Sequence, residues 1–163
     1  NPSASADWQV IPYLGRTLSG VALMPYTEGV EGASLIYKMA LPENVSEVNV
    51  HVVVKSTLAF HDVKGHEYTV GFDGGKETVV NFNADLNEES ENVYSVFYPT
   101  VARRVVEKTV KLTVPPSTDG TQLLTLKPLD PGSVFEKIVV DCGGYQKSYL
   151  FMDESPCKRV LHR

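Results

Sequence analysis

No apolar run in the 163 residues approaches the ~18 that a membrane-spanning helix needs, so the chain contains no helical anchor. Basic residues are not in excess. Fifteen Lys and Arg lie scattered among twenty Asp and Glu for a formal charge of -5, without a basic stripe. A nucleic acid or an anionic membrane would find no counterion-releasing surface here, which excludes both as partners. Cysteine is scarce, at two residues. Cys142 and Cys157 enclose a loop short enough to close as a disulfide in an oxidising compartment, and two unrelated free thiols are the plainer reading. Neither cysteine has a second cysteine or a histidine pair at ligand spacing, and His162 after Cys157 does not complete a tetrahedral set, so no zinc site is expected.

Catalytic signatures are also missing. There is no Gly-x-Ser-x-Gly elbow, no phosphate-cradling glycine loop ahead of a helix and no His-Glu-x-x-His. The absence of these motifs lowers the case for catalysis without excluding it, and no metal or cofactor is expected. The nearest thing to a constellation is the polar group His61, Asp62, Lys64, His66 and Glu67, which as a functional unit would be a metal or acid/base site and otherwise is a solvated loop. A second acidic run, Glu88, Glu89 and Glu91, reads as surface charge with an occasional calcium role.

What is present is a period of two. Val48, Val50, Val52 and Val54 alternate with polar residues, interrupted by Val53, and Val110, Leu112 and Val114 alternate with Thr109, Lys111 and Thr113. Leu124 and Leu126 repeat the pattern, while Ser133 to Val140 is apolar on both faces around Glu136 and Lys137, as a central strand would be. Further strands are predicted at Gln9 to Pro12, Ser19 to Met24, Ser34 to Met39, His66 to Phe72, Glu77 to Asn83 and Tyr145 to Phe151. Asp73-Gly74-Gly75-Lys76 predicts a hairpin whose glycines supply positive backbone dihedrals. Only Asn87 to Glu107 suggests helix, and Pro99 together with the alternation of Tyr94, Val96 and Tyr98 predicts a short turn at most. Many short strands between turn signals argue an all-β, mostly antiparallel β-sandwich, jelly-roll-like in class. The organisation read from this is a linker or trimmed terminus over 1–7, a single sandwich domain over 8–157 and a tail over 158–163.

Aromatic side chains offer the remaining route to function, because sugar rings stack on exposed aromatic faces. Trp8, Tyr13 and Tyr26 are the candidate carbohydrate-binding residues, with Tyr94, Tyr98, Tyr145 and Tyr149 also near predicted strand ends. The most ordered stretch runs from Leu129 to Leu150. In it Asp130-Pro131-Gly132 forms a turn, Asp141 accepts backbone hydrogen bonds, and Gly143-Gly144 reverses the chain into a last strand.

Four segments in order carry a family resemblance: Trp8-Gln9-Val10-Ile11-Pro12-x-Leu14-Gly15-Arg16-Thr17, Tyr68 to Asp73, the block from Leu126 through Asp130-Pro131-Gly132 and Asp141-x-Gly143-Gly144 to Ser148-Tyr149-Leu150, and Glu154-Ser155. Together they resemble the C-terminal domain of glycoside hydrolase family 115, the xylan α-1,2-glucuronidases. The resemblance implies a noncatalytic accessory sandwich, similar in layout to carbohydrate-binding modules, of an inverting bacterial enzyme, secreted or periplasmic, whose catalytic residues lie in upstream domains. Its implied partners are those upstream domains of the same polypeptide, a second copy in a homodimer, and a xylan-type polysaccharide if the domain acts as an autonomous binding module. The matched Gly15, Arg16, Asp73, Asp130, Pro131, Gly132, Asp141, Gly143, Gly144 and Tyr149 then have structural roles.

Overall fold

A computed structural model describes residues 7–14, 19–24, 30–56, 65–86, 89–148, 151 and 153–156. Among these residues nine strands appear in chain order: β1 (Asp7–Pro12), β2 (Ser19–Met24), β3 (Leu35–Ala40), β4 (Glu47–Lys55), β5 (Glu67–Phe72), β6 (Thr78–Asn81), β7 (Val105–Thr113), β8 (Thr121–Pro128) and β9 (Val134–Asp141). They form a five-stranded sheet ordered β1-β2-β9-β4-β7 and a four-stranded sheet ordered β3-β8-β5-β6, and the pairings are antiparallel. The two sheets pack as a β-sandwich.

The valine ladder explains where the core sits. Val48, Val50, Val52 and Val54 on β4 face Tyr68, Val70 and Phe72 on β5 and Leu124 and Leu126 on β8, all within one buried cluster. Alternation puts these side chains on one face of each strand, and covering that face is the main favourable term in folding. Phe135 of β9 closes the cluster with its ring edge-on to Tyr68, centroids 5.7 Å apart.

Strand β9 lies between β2 and β4, so its two-sided apolar character matches a central position. The charges in its middle have a geometric reason. Val53 pairs with Lys137 and Val54 with Phe135, which leaves Glu136 as an extra residue in a β-bulge. The bulge shifts the parity of the strand: Phe135 before it and Ile138 and Val140 after it all pack on the core. Without it Lys137 would point inward.

The Asp73-Gly74 turn joins β5 and β6 as an antiparallel hairpin. Gly74 has φ +75°, and Gly75 donates its N–H to Phe72 O at 2.9 Å. Only Gly74 takes the left-handed conformation; Gly75 does not, so the expectation of two such glycines is corrected.

Two other expectations are corrected. The segment after β9 is not a strand over residues 145–148. It crosses the outer face of the five-stranded sheet as a strap, and Tyr149 and Leu150 lie outside the described residues. The interval before β7 is more helical than the alternation suggested: a π-helical turn over Val93–Phe97 runs directly into a helix, α1 (Tyr98–Arg103). Pro99 does not stop this helix because it sits in its first turn, where a backbone N–H has no intrahelical partner to lose. The helix ends at Arg104, which is left-handed with φ 62° and donates its N–H to Thr100 O at 2.8 Å.

Candidate functional site

The predicted residues fall into three groups. Gly15, Arg16, Tyr26, Tyr149, Cys157, His61 and Asp62 lie outside the described residues. Trp8 packs at the core edge with its ring 6.4 Å from Phe135, whereas Tyr13 is 93% exposed with φ 59° at the end of β1. The two rings are thus in unlike settings, one against the core and one in solvent. The remaining matched residues belong to turns, two of them held by an aspartate side chain, Asp130 or Asp141.

Asp130 illustrates the turns. Its Oδ2 accepts the Glu67 N–H at 2.7 Å, and in the same turn Pro131 O lies 3.1 Å from His66 Nε2. Gly132 takes φ 86°, the conformation that follows proline in a type II turn. The loop between β8 and β9 is therefore clamped to the entry of β5. His66 is 1% exposed and its ring stacks on Phe82 at 5.6 Å, so it does not stand in a solvated loop. No group of three metal-ligating side chains occurs among the described residues. Asp141 Oδ1 accepts the N–H groups of Gly143 at 2.7 Å and Tyr145 at 3.2 Å, while Gly143 and Gly144 take φ 120° and 91°. Asp73 is exposed and donates its N–H to Leu123 O at 2.9 Å.

The strap begins at that Asp141 turn. Tyr145 lies against His51, ring centroids 4.6 Å apart, and Lys147 Nζ reaches Glu107 Oε2 at 2.7 Å. Phe151 then covers Val53 and Val105, with Lys137 Nζ 5.7 Å from its ring centre. This accounts for Val53, the residue that broke the alternation of β4: its face of the sheet is covered, so an apolar side chain belongs there. Cys142, also in this turn, is an exposed free thiol, and partial burial with the neighbouring Asp141 raises its pKa.

Helix α1 and the π-turn before it present two surfaces that the sequence did not separate. Tyr94, Tyr98 and Val101 recur at steps of four and three, so they form one helical stripe. It is open to solvent, with Tyr94 80%, Tyr98 55% and Val101 56% exposed and the two tyrosine rings 5.8 Å apart. Val96, Thr100 and Arg103 form a second stripe at the same spacing on the opposite side. They line a groove with Asp85, the start of β7, Lys147 and Ser148, and its volume is about 460 Å3. Strand β7 is the edge of its sheet among the described strands, so the groove follows a strand edge that no described strand pairs. Lys108 Nζ donates to both Asp85 carboxylate oxygens at 2.9 Å, and Glu107 Oε1 lies 3.4 Å from His51 Nδ1.

Residues 1–154 match the model of the glycosyl hydrolase family 115 C-terminal domain. The chain belongs to this family. A solved structure of similar fold is described as a novel family GH115 4-O-methyl-α-glucuronidase with specificity for decorated arabinogalactans; the two align with a TM-score of 0.62 at 18% sequence identity. The alignment covers 86% of this chain and 16% of that one, so the family 115 domain spans about a sixth of the enzyme it resembles in fold. A comparison of the sequence with curated proteins gave no match.

Proposed function

We propose that this family 115 domain is a noncatalytic accessory module of an α-glucuronidase, packing on upstream catalytic domains of the same polypeptide or joining two copies of it. The observation that carries the reading is the Tyr94, Tyr98 and Val101 stripe, a contiguous apolar surface on a short helix that no described residue covers. Aromatic groups left open in this way suit a contact with another folded surface, where each ring contributes area at little entropic cost. The 16% share of the similar enzyme's chain supports a setting among further domains. The parent enzyme would act on an α-linked glucuronic acid, or its 4-O-methyl ether, carried by a polysaccharide outside the cytoplasm. Xylan follows from the sequence resemblance, and a decorated arabinogalactan follows from the similar enzyme's description.

The test is Tyr94→Ser with Tyr98→Ser in the parent enzyme. The expected result is a lower melting temperature or a smaller mass by light scattering, with the isolated domain's melting unchanged. A parent that keeps its mass, melting temperature and activity would sink the contact role. Release of glucuronic acid from aldouronic acids by the isolated domain would overturn the noncatalytic role.

The second reading, an autonomous carbohydrate-binding module, is favoured by the same tyrosine pair, since rings 5.8 Å apart on an exposed face can carry a pyranose. Retention of the isolated domain on glucuronoxylan or arabinogalactan, lost in the double variant, would select this reading over the first.

A further inference from the structure

The groove behind α1 has a charge arrangement that the docking reading does not use. Three cations line it, Arg103, Lys108 and Lys147, together with two carboxylates, Asp85 and Glu107. Each carboxylate is matched to one lysine: Asp85 to Lys108 at 2.9 Å, Glu107 to Lys147 at 2.7 Å. Arg103 forms no ion pair among the described residues, so one positive charge is left uncompensated. Thr100 and Ser148 add hydroxyl groups to the lining.

These features select among ligands. A polyanion would meet Asp85 and Glu107 as like charges, which disfavours a phosphate chain or a nucleic-acid backbone. A neutral sugar would find no aromatic face among the described lining residues, none of which is aromatic. What matches is one negative charge together with several hydroxyls. A guanidinium binds a carboxylate through two parallel hydrogen bonds, and carboxylates and hydroxyls accept from sugar O–H groups. A volume of about 460 Å3 accommodates a ligand of that size.

We propose that this groove is a binding site for a single uronic acid residue, with Arg103 holding its carboxylate and Asp85, Glu107, Thr100 and Ser148 meeting its hydroxyls. Lys147 and Ser148 reach the groove on the strap, so the strap completes the site. An arginine in the last turn of a helix also complements the helix dipole, which would give Arg103 a purely structural role. That role predicts a change in stability and none in binding.

The experiment titrates the 163-residue chain with sodium glucuronate at constant ionic strength and follows backbone amide shifts, with glucose, acetate and inorganic phosphate as parallel arms. Saturable shifts confined to residues 100–108 and 147–148 are expected with glucuronate, smaller ones with acetate and none with glucose. Arg103→Gln should weaken glucuronate binding about ten-fold or more while leaving the melting temperature unchanged, and Arg103→Lys should weaken it less. No saturation with glucuronate overturns the site. So does an equal response to glucose, acetate or phosphate, or wild-type affinity in Arg103→Gln. The tyrosine ridge lies on the other side of the helix, so failure of the docking reading leaves this result standing, and the reverse also holds.

Discussion

Replacing Asp130 with alanine tests whether the Asp-Pro-Gly turn is held by its side chain or only by its backbone. The Asp130 carboxylate accepts the Glu67 N–H at 2.7 Å across 63 positions of sequence, at the point where β5 begins. Leu129 donates to Glu67 O at 2.9 Å beside it, and Pro131 O meets His66 Nε2 at 3.1 Å. Alanine removes the acceptor and leaves a part-buried backbone N–H without a partner. A hydrogen bond to a charged group contributes about 1.5–3 kcal/mol, and the partial exposure of this one places it near the lower end, about 1.5–2 kcal/mol. In a domain of this size each kcal/mol moves the melting temperature by about 2–4 °C, so Asp130→Ala should melt about 3–8 °C lower. Asp130→Asn keeps an amide oxygen in reach of the same N–H and should lose less than half as much. The measurement is thermal unfolding of both variants by circular dichroism. Equal losses in the two variants, or none in either, would refute the side-chain clamp and leave the turn to proline and glycine alone.

Three further outcomes are expected. Asp141→Ala removes the acceptor of two backbone N–H groups in an exposed turn and should destabilise by about 1–2 kcal/mol, read as a lower melting temperature; an unchanged value would deny Asp141 its role. Asp119 is held at about 2, against an ordinary 3.8, first by the Thr121 hydroxyl at 2.7 Å, then by the Thr121 N–H and the Ser117 hydroxyl, both at 3.0 Å. Because its pKa is lowered in the folded state, its contribution to stability is present above pH 3.8 and is lost as pH falls toward 2. A carboxyl-carbon NMR titration should show this low midpoint, and one near 3.8 would contradict the hydrogen-bond geometry. Phe151→Ala should cost about 2–3 kcal/mol, below the range for a deep core phenylalanine, because it empties a three-residue cluster on the outer sheet face. Amide exchange should then quicken at Tyr145 and Lys147 as the strap loosens, whereas unchanged exchange there would mean that the strap is held independently of Phe151.

The sheets were legible because their information is local. Alternation over a few residues is enough to place Val48 to Val54 on a strand, and an acid-proline-glycine or glycine pair marks the turn at its end. Seven of the nine described strands match predicted segments to within one or two residues, while β7 extends the predicted Thr109 to Val114 back to Val105 and β8 extends the alternation around Leu124 and Leu126 back to Thr121. Errors arose where tertiary contacts decide the local choice. Tyr94, Val96 and Tyr98 fit a strand period equally well, and the helix became visible only once Pro99 lay in its first turn rather than its middle. Tyr145 to Leu150 has strand composition, yet residues 145–148 lie on the outer face against His51 and Glu107 instead of joining an edge.

The candidate site was the least legible part for the same reason. Its defining pairs, Asp85 with Lys108 and Glu107 with Lys147, join residues 23 and 40 positions apart in the chain, and no spacing rule brings them together. One local signal did point toward it. Val53 interrupts an otherwise regular ladder with an apolar side chain on the outward face, where solvent would favour a polar one, and in the structure that face lies under Phe151 and the strap. An apolar residue on the wet side of a strand therefore implied a covering segment, and a segment lying across a sheet edge is what creates a groove there. Had β4 alternated without a break, the outer face would need no cover, and Lys147 and Ser148 would have no reason to stand beside Arg103.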